Sequence, residues 1–265
     1  MNKITLSSLQ ALKQKGEPIT VATAYDSTFA LLQELAGIEA ILVGDSLGNV
    51  LQGHGTTVPV TMEHMCYHIA NVARGCQVPF IIGDLPYMSY ATKQQAYENA
   101  AKLMQAGANM VKLEGGQWLC DTIAGLTERG IPVCAHLGLT PQSVDALGGF
   151  KVQGRDESAA QQLIDDAKAI AASGAKLLVL ECVPQALAAK VTQQLSIPTI
   201  GIGAGVECDG QVLVMHDLLG LNPNFSPKFV KNFMPEGDGS VLGAFKAYVE
   251  QVKSRQFPTT QHSFN

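Results

Sequence analysis

The chain has 265 residues, 46% hydrophobic and 15% charged, enough to bury a sizeable core as one large α/β domain or two small ones. A formal net charge of −5 leaves no basic footprint for nucleic acid or for an anionic membrane surface. The N-terminus, MNKITLSSLQALKQKG, lacks the unbroken apolar segment of a signal peptide, and no run reaches the ~18 apolar residues of a transmembrane helix.

Leu6, Leu9 and Leu12 recur at helical spacing and predict a short amphipathic helix over 5–15. Residues 19–25, rich in β-branched side chains, read as strand one, and Asp26 leads into a helix over 27–36 that Gly37 closes. Strand two covers 40–44, and a long Gly-rich loop holding His54 follows. A helix over 61–74 stops at Gly75, and strand three covers 78–83. Thr92 N-caps a helix over 93–106 that ends at Gly107. Strand four (109–113), a helix (118–128) and strand five (131–135) follow. The longest irregular stretch, 137–155, has the length of a functional loop. A helix over 158–172, strand six (175–180), a helix over 184–195 and strand seven (197–202) come next. Residues 211–215 read as a short eighth strand, 240–252 as a closing amphipathic helix, and the tail to Asn265 is polar. The six cysteines, Cys66, Cys76, Cys120, Cys134, Cys182 and Cys208, form no C-x-x-C pair and read as reduced thiols of a cytoplasmic protein.

Five of the apolar runs end in an ionisable residue: Asp45, Asp84, Glu114, His136 and Glu181. Parallel strands buried on both faces look like this, with chemistry at their carboxyl ends. The pattern predicts one (β/α)₈ barrel over residues 1–265, preceded by a short helix. A doubly wound open sheet is the alternative, but it gathers its functional residues at one switch point, whereas here they end many strands.

Side-chain alternation groups Ile41, Val43 and Asp45 on one face of strand two. It likewise groups Phe80, Ile82 and Asp84, then Met110, Lys112 and Glu114, then Leu177, Val179 and Glu181. If those faces look inward, Asp45, Asp84 and Glu114 meet at one rim. Three carboxylates with no Cys or His pair beside them suit Mg²⁺ or a similar hard cation, which relieves their repulsion. Taken singly, each also reads as a helix cap or loop anchor. Lys112 reads as an internal ion pair or as a cation for an anionic substrate. Glu181, placed across the barrel, reads as a general base or a capping carboxylate, and His136 as a substrate contact or a satisfied core histidine. The glycines of GIGAG (201–205) serve either a phosphate cradle or tight turns. No P-loop, G-x-S-x-G or H-E-x-x-H pattern occurs.

VGDSLG (43–48), QGH (52–54), GDLP (83–86), GANMVKLEGG (107–116), HLGLTPQ (136–142) and GIGAG (201–205), with HSF at 262–264, resemble the ketopantoate hydroxymethyltransferase family over nearly the whole chain. The resemblance implies a barrel of the phosphoenolpyruvate/pyruvate type. It also implies transfer of a one-carbon unit from 5,10-methylenetetrahydrofolate to 3-methyl-2-oxobutanoate on the way to pantothenate. Carried onto this chain, it implies one Mg²⁺ per subunit at Asp45, Asp84 and Glu114. It implies substrate contacts at Asp45, Ser46, Asp84 and Lys112, and Glu181 as proton acceptor. It implies a homo-oligomer, often a decamer. A metal-dependent lyase or mutase on the same barrel is the rival reading, and such an enzyme would ignore the folate.

Overall fold

Eight short apolar runs form eight parallel strands that pair in sequence order, with β8 returning to β1, so the sheet closes on itself. The structure is a computed structural model describing residues 2–223 and 226–265. In chain order the elements begin α1 (Leu6–Lys15), β1 (Ile19–Thr23), α2 (Ser27–Ala36), β2 (Ala40–Val43), α3 (Leu47–Val50), α4 (Met62–Gly75) and β3 (Phe80–Asp84). They continue through α5 (Lys93–Ala106), β4 (Met110–Glu114), α6 (Cys120–Glu128), β5 (Val133–Gly138), α7 (Glu157–Ala172) and β6 (Leu177–Glu181). The last are α8 (Gln185–Gln194), β7 (Thr199–Ile202), β8 (Gly210–Leu213), α9 (Met215–Leu218) and α10 (Val241–Lys253). This is the (β/α)₈ barrel the alternation predicts, and the open sheet is excluded by closure of β8 on β1.

Local chemistry sets the helix ends. Thr5, Asp26, Thr61, Thr92, Asp156 and Ser240 each accept a backbone N–H in the first turn, while Gly16 and Gly37 end α1 and α2 in the left-handed conformation. The strands are buried along almost their whole length because two cores flank them. Val21, Leu42, Ile82, Met110, Cys134, Val179, Ile200 and Val212 fill the barrel interior. Ile41, Val43, Ile81, Val111, Leu113 and Leu180 pack against the helices.

The N-terminal helix closes the bottom of the barrel. Leu9 of α1 is fully buried within the interior cluster, and Ile4, Leu6 and Leu12 pack around it. Burial of one leucine contributes about 1.5–3 kcal/mol. With that end plugged, the ionisable residues sit at the opposite, carboxyl ends of the strands.

The structure differs from the sequence reading at several points, among them a short helix, α3, inside the Gly-rich loop after β2 and a β5 that runs on through His136 to Gly138. The phase of β2 is reversed: Ala40 and Leu42 face the barrel interior, while Ile41 and Val43 face the helices. Asp45 still reaches the rim because β2 ends at Val43 and the chain turns through Gly44 into α3, which breaks the alternation. The eighth strand is Gly210–Leu213, and Met215 opens a helix instead of ending that strand. Within the long loop after β5 lies a 3₁₀ turn, Pro141–Ser143.

Candidate active site

Asp84, Lys112, Glu114 and His136 come from adjacent strands whose register sets them in steps around the rim. Asp84 stands opposite Lys112, and Glu114 opposite His136. All four are buried, as is Asp45, while Ser46 and Glu181 are partly open. Lys112 Nζ lies 2.5 Å from Asp84 Oδ1 and 3.4 Å from Glu114 Oε1. Asp84 Oδ2 accepts the backbone N–H of Asp45 at 3.2 Å, which locks the β2 turn to the end of β3. The Ser46 and Tyr25 hydroxyls are 2.9 Å apart.

Glu181 is nearer to this cluster than its strand number suggests. His136 bridges the gap: Nδ1 is 3.3 Å from Glu114 Oε1 and Nε2 is 3.4 Å from Glu181 Oε2. These are ion-pair distances, and neither ring nitrogen makes an aligned hydrogen bond. A single imidazole therefore separates the carboxylate expected to act as base from those expected to hold a metal.

The backbone around Glu181 is tightly held. Its carbonyl accepts the Leu139 N–H at 2.8 Å, the next residue, Cys182, has φ +49°, and the Cys182 carbonyl accepts the Gln153 N–H at 3.0 Å. A non-glycine residue in the left-handed region costs of order 1–3 kcal/mol and persists where its surroundings impose it. Gly138 (φ +91°) makes the close approach possible, since a Cβ there would lie 2.2 Å from the Glu181 carbonyl oxygen.

The electrostatics follow from four acidic groups sharing two cations. Burial, then Asp84 and Glu114, push the Asp45 carboxyl well above the ordinary aspartate range. Burial also raises Asp84, although Lys112 opposes it. Burial acts to raise Glu114 too, but Lys112 and His136 outweigh it and hold that group at about 2. For His136, burial and Lys112 favour the neutral ring, yet Glu114 and Glu181 prevail and set it at about 9. Lys112 is likewise held charged by Asp84, Glu114 and Asp45 against the penalty of burial.

Asp45, Asp84 and Glu114 offer hard oxygen donors; burial first, and then mutual repulsion, disfavours charge on Asp45 and Asp84, and a divalent cation would offset both. The residues present thus fit such an ion. Among the described residues no three His, Cys, Asp or Glu side chains already stand gathered as a closed ligand set. Lys112 lies between two of the carboxylates instead.

The model of the ketopantoate hydroxymethyltransferase family matches residues 3–260. The chain belongs to that family. It is thereby an enzyme, a hydroxymethyltransferase. It is 60% identical over 262 residues to 3-methyl-2-oxobutanoate hydroxymethyltransferase 2 of Hahella chejuensis, with 99% of each chain covered. It is 57% identical to the 3-methyl-2-oxobutanoate hydroxymethyltransferase of Idiomarina loihiensis, covering 99% of this chain and 98% of that one. Among solved structures, 2,3-dimethylmalate lyase, a PEP mutase/isocitrate lyase superfamily member, shares the barrel at a TM-score of 0.57 and 16% identity, covering 82% of this chain and 84% of that one.

In this family member the rim gathers every residue singled out from the sequence: Asp45, Ser46, Asp84, Lys112, Glu114, His136 and Glu181. It also contains Gln142 and Tyr90, which the sequence reading missed as individual residues. Gln142 Nε2 donates to Asp45 Oδ2 at 2.8 Å and to the Leu85 carbonyl at 2.9 Å, and its backbone N–H donates to Glu114 Oε2 at 3.1 Å. The only signal for it was its place at the end of HLGLTPQ. The GIGAG glycines have packing reasons. A Cβ on Gly203 would press on Phe264 and Phe229, one on Gly201 on Cys208, and one on Gly205 on Gln185. The left-handed conformations of Gly203 (φ +64°) and Gly205 (φ +86°) fit the tight-turn reading, and close packing, which the sequence reading did not name, adds a second demand for glycine.

Proposed function

We propose that this hydroxymethyltransferase transfers the one-carbon unit of 5,10-methylenetetrahydrofolate to C3 of 3-methyl-2-oxobutanoate, giving ketopantoate and tetrahydrofolate. The observation that carries the reading is the joining, within one buried cluster, of three carboxylates and Lys112 to Glu181 through His136. Asp45, Asp84 and Glu114 would hold Mg²⁺, one per subunit, which supplies Lewis acidity to the ketone and carboxylate oxygens of the 2-oxo acid. Lys112 and the Ser46 hydroxyl orient the substrate carboxylate, Lys112 by charge-assisted hydrogen bonding. Glu181, the most open carboxylate of the group, takes the proton from C3. In net, C3 forms a bond to the one-carbon unit, both C–N bonds of that unit to the folate break, and water supplies the hydroxyl oxygen.

The six cysteines are all unpaired thiols, which supports placing the enzyme in the reducing cytoplasm. Among the described residues no helix is long and apolar enough to cross a membrane. The homo-oligomer, a decamer by family resemblance, belongs to the same proposal.

The test is product formation from 3-methyl-2-oxobutanoate with the folate or Mg²⁺ each left out in turn. Loss of product on either omission is expected, and Asp84→Ala should weaken Mg²⁺ and 2-oxo acid binding together. Turnover that ignores the folate would favour the lyase or mutase reading, and an unchanged Mg²⁺ titration in Asp84→Ala would remove Asp84 from the metal site.

A further inference from the structure

We propose that Gln142 is a positioning residue that sets the acidic cluster for its cation, and that Tyr90 acts through Gln142 by fixing which way the amide faces. The proposal rests on the reading of Asp45, Asp84 and Glu114 as a divalent-cation site. Gln142 is buried, and every polar atom that points into the cluster is used. The amide nitrogen donates to Asp45 Oδ2 (2.8 Å) and to the Leu85 carbonyl (2.9 Å), so both of its hydrogens are committed. The backbone N–H donates to Glu114 Oε2 (3.1 Å). The amide oxygen accepts the Tyr90 hydroxyl at 2.5 Å.

That arrangement permits one amide orientation. Turned over, the amide oxygen would face a carboxylate oxygen and a carbonyl, two acceptors with no hydrogen between, and the NH₂ would face the Tyr90 hydroxyl. The Tyr90 ring is itself fixed, buried and stacked on Trp118 with centroids 6.3 Å apart and planes 13° from parallel. Gln142 thus binds one oxygen of Asp45 and one of Glu114, and so turns the other Glu114 oxygen, Oε1, toward Lys112 (3.4 Å) and His136 (3.3 Å). Because it belongs to the 3₁₀ turn Pro141–Ser143, the same contacts tie the loop after β5 to the ends of β2, β3 and β4. Groups that hold metal-binding side chains in place in this way typically carry a 10–100-fold share of metal affinity.

The experiment is isothermal titration of Mg²⁺ into the full-length, metal-free protein without substrate, with KM and kcat for the 2-oxo acid measured alongside. Gln142→Ala should weaken Mg²⁺ about 10–100-fold and raise KM for the 2-oxo acid. Tyr90→Phe, which keeps the ring against Trp118, should move both in the same direction by less. The Tyr90 hydroxyl also lies 3.3 Å from the Glu114 carbonyl and 3.4 Å from the Glu114 N–H, so the double variant should cost less than the sum of the two single variants, the shared part being the contact through the amide. If Gln142→Ala does not fold, Gln142→Asn takes its place in the same comparison. Wild-type Mg²⁺ affinity in a folded position-142 variant, or fully additive effects, would overturn the assignment. Failure of the wild-type protein to bind Mg²⁺ would instead overturn the proposed function and this assignment with it.

Discussion

Lys112 and His136 are the two cations within a ring of four acidic side chains, and this imbalance makes stability depend on pH. His136 titrates at about 9 in the folded protein, above its ordinary 6.5. A raised value means that the folded state keeps the proton longer than the unfolded chain. The resulting stabilisation is therefore complete below pH 6.5 and is lost as the pH rises to about 9, at most about 3 kcal/mol for a fully buried group. Asp45 and Asp84, also raised, lose stability in the same direction. Glu114, lowered to about 2, acts oppositely and loses its contribution only as the pH falls from 4.5 towards 2. Urea unfolding of the metal-free protein should thus show a lower midpoint at pH 9 than at pH 6.5, with a smaller drop in His136→Gln. An equal drop in both proteins would contradict the part given to His136. The acidic residues were legible because a charge at the end of an apolar run stands out. Gln142 was not, because an uncharged amide in a loop leaves no periodic mark, and its worth lies in contacts 28 and 97 residues away.

The turn that follows β6 and the loop that follows β5 act together on Glu181. Leu139 and Gln153 hold the carbonyls on either side of the left-handed Cys182, and Gly138 leaves room for that contact. Gly138→Ala would place a methyl group 2.2 Å from the Glu181 carbonyl oxygen, so the strand end must shift. The expected effect is a loss of about 10² in the rate of C3 proton removal, the size that a misplacement near 1 Å produces, with Mg²⁺ affinity close to wild type. Rates of deuterium incorporation measured beside Mg²⁺ titrations check this, and an unimpaired rate would show that the contact does not position the base. Strand and helix order was read correctly from apolar runs and their caps. The phase of β2 was misread because a strand buried on both faces has no polar side to mark it, so alternation in Ala40–Val43 carries little information. The bridging position of Glu181 was also hidden, since barrel closure rather than strand spacing decides how far apart rim residues lie.

For the molecule as a whole, a closed barrel plugged by α1 at one end leaves the opposite end for chemistry, and the helices supply the outer surface. Leu31 and Leu35, one turn apart on α2, and Tyr67 on the neighbouring α4 are exposed apolar side chains on that surface. Sedimentation or light scattering should find an assembly well above the 28.1 kDa chain, near 281 kDa for ten copies. A stable monomer would remove the oligomer from the proposal without touching the site. Removal of the C3 proton by Glu181, from a 2-oxo acid held at the acidic cluster, can be followed by NMR of 3-methyl-2-oxobutanoate in heavy water with Mg²⁺, comparing the wild-type protein with Glu181→Gln. Rapid deuterium entry at C3 is expected with the wild type, and retained substrate binding without exchange in the variant. Deuterium entering at the wild-type rate in Glu181→Gln would contradict that role for Glu181.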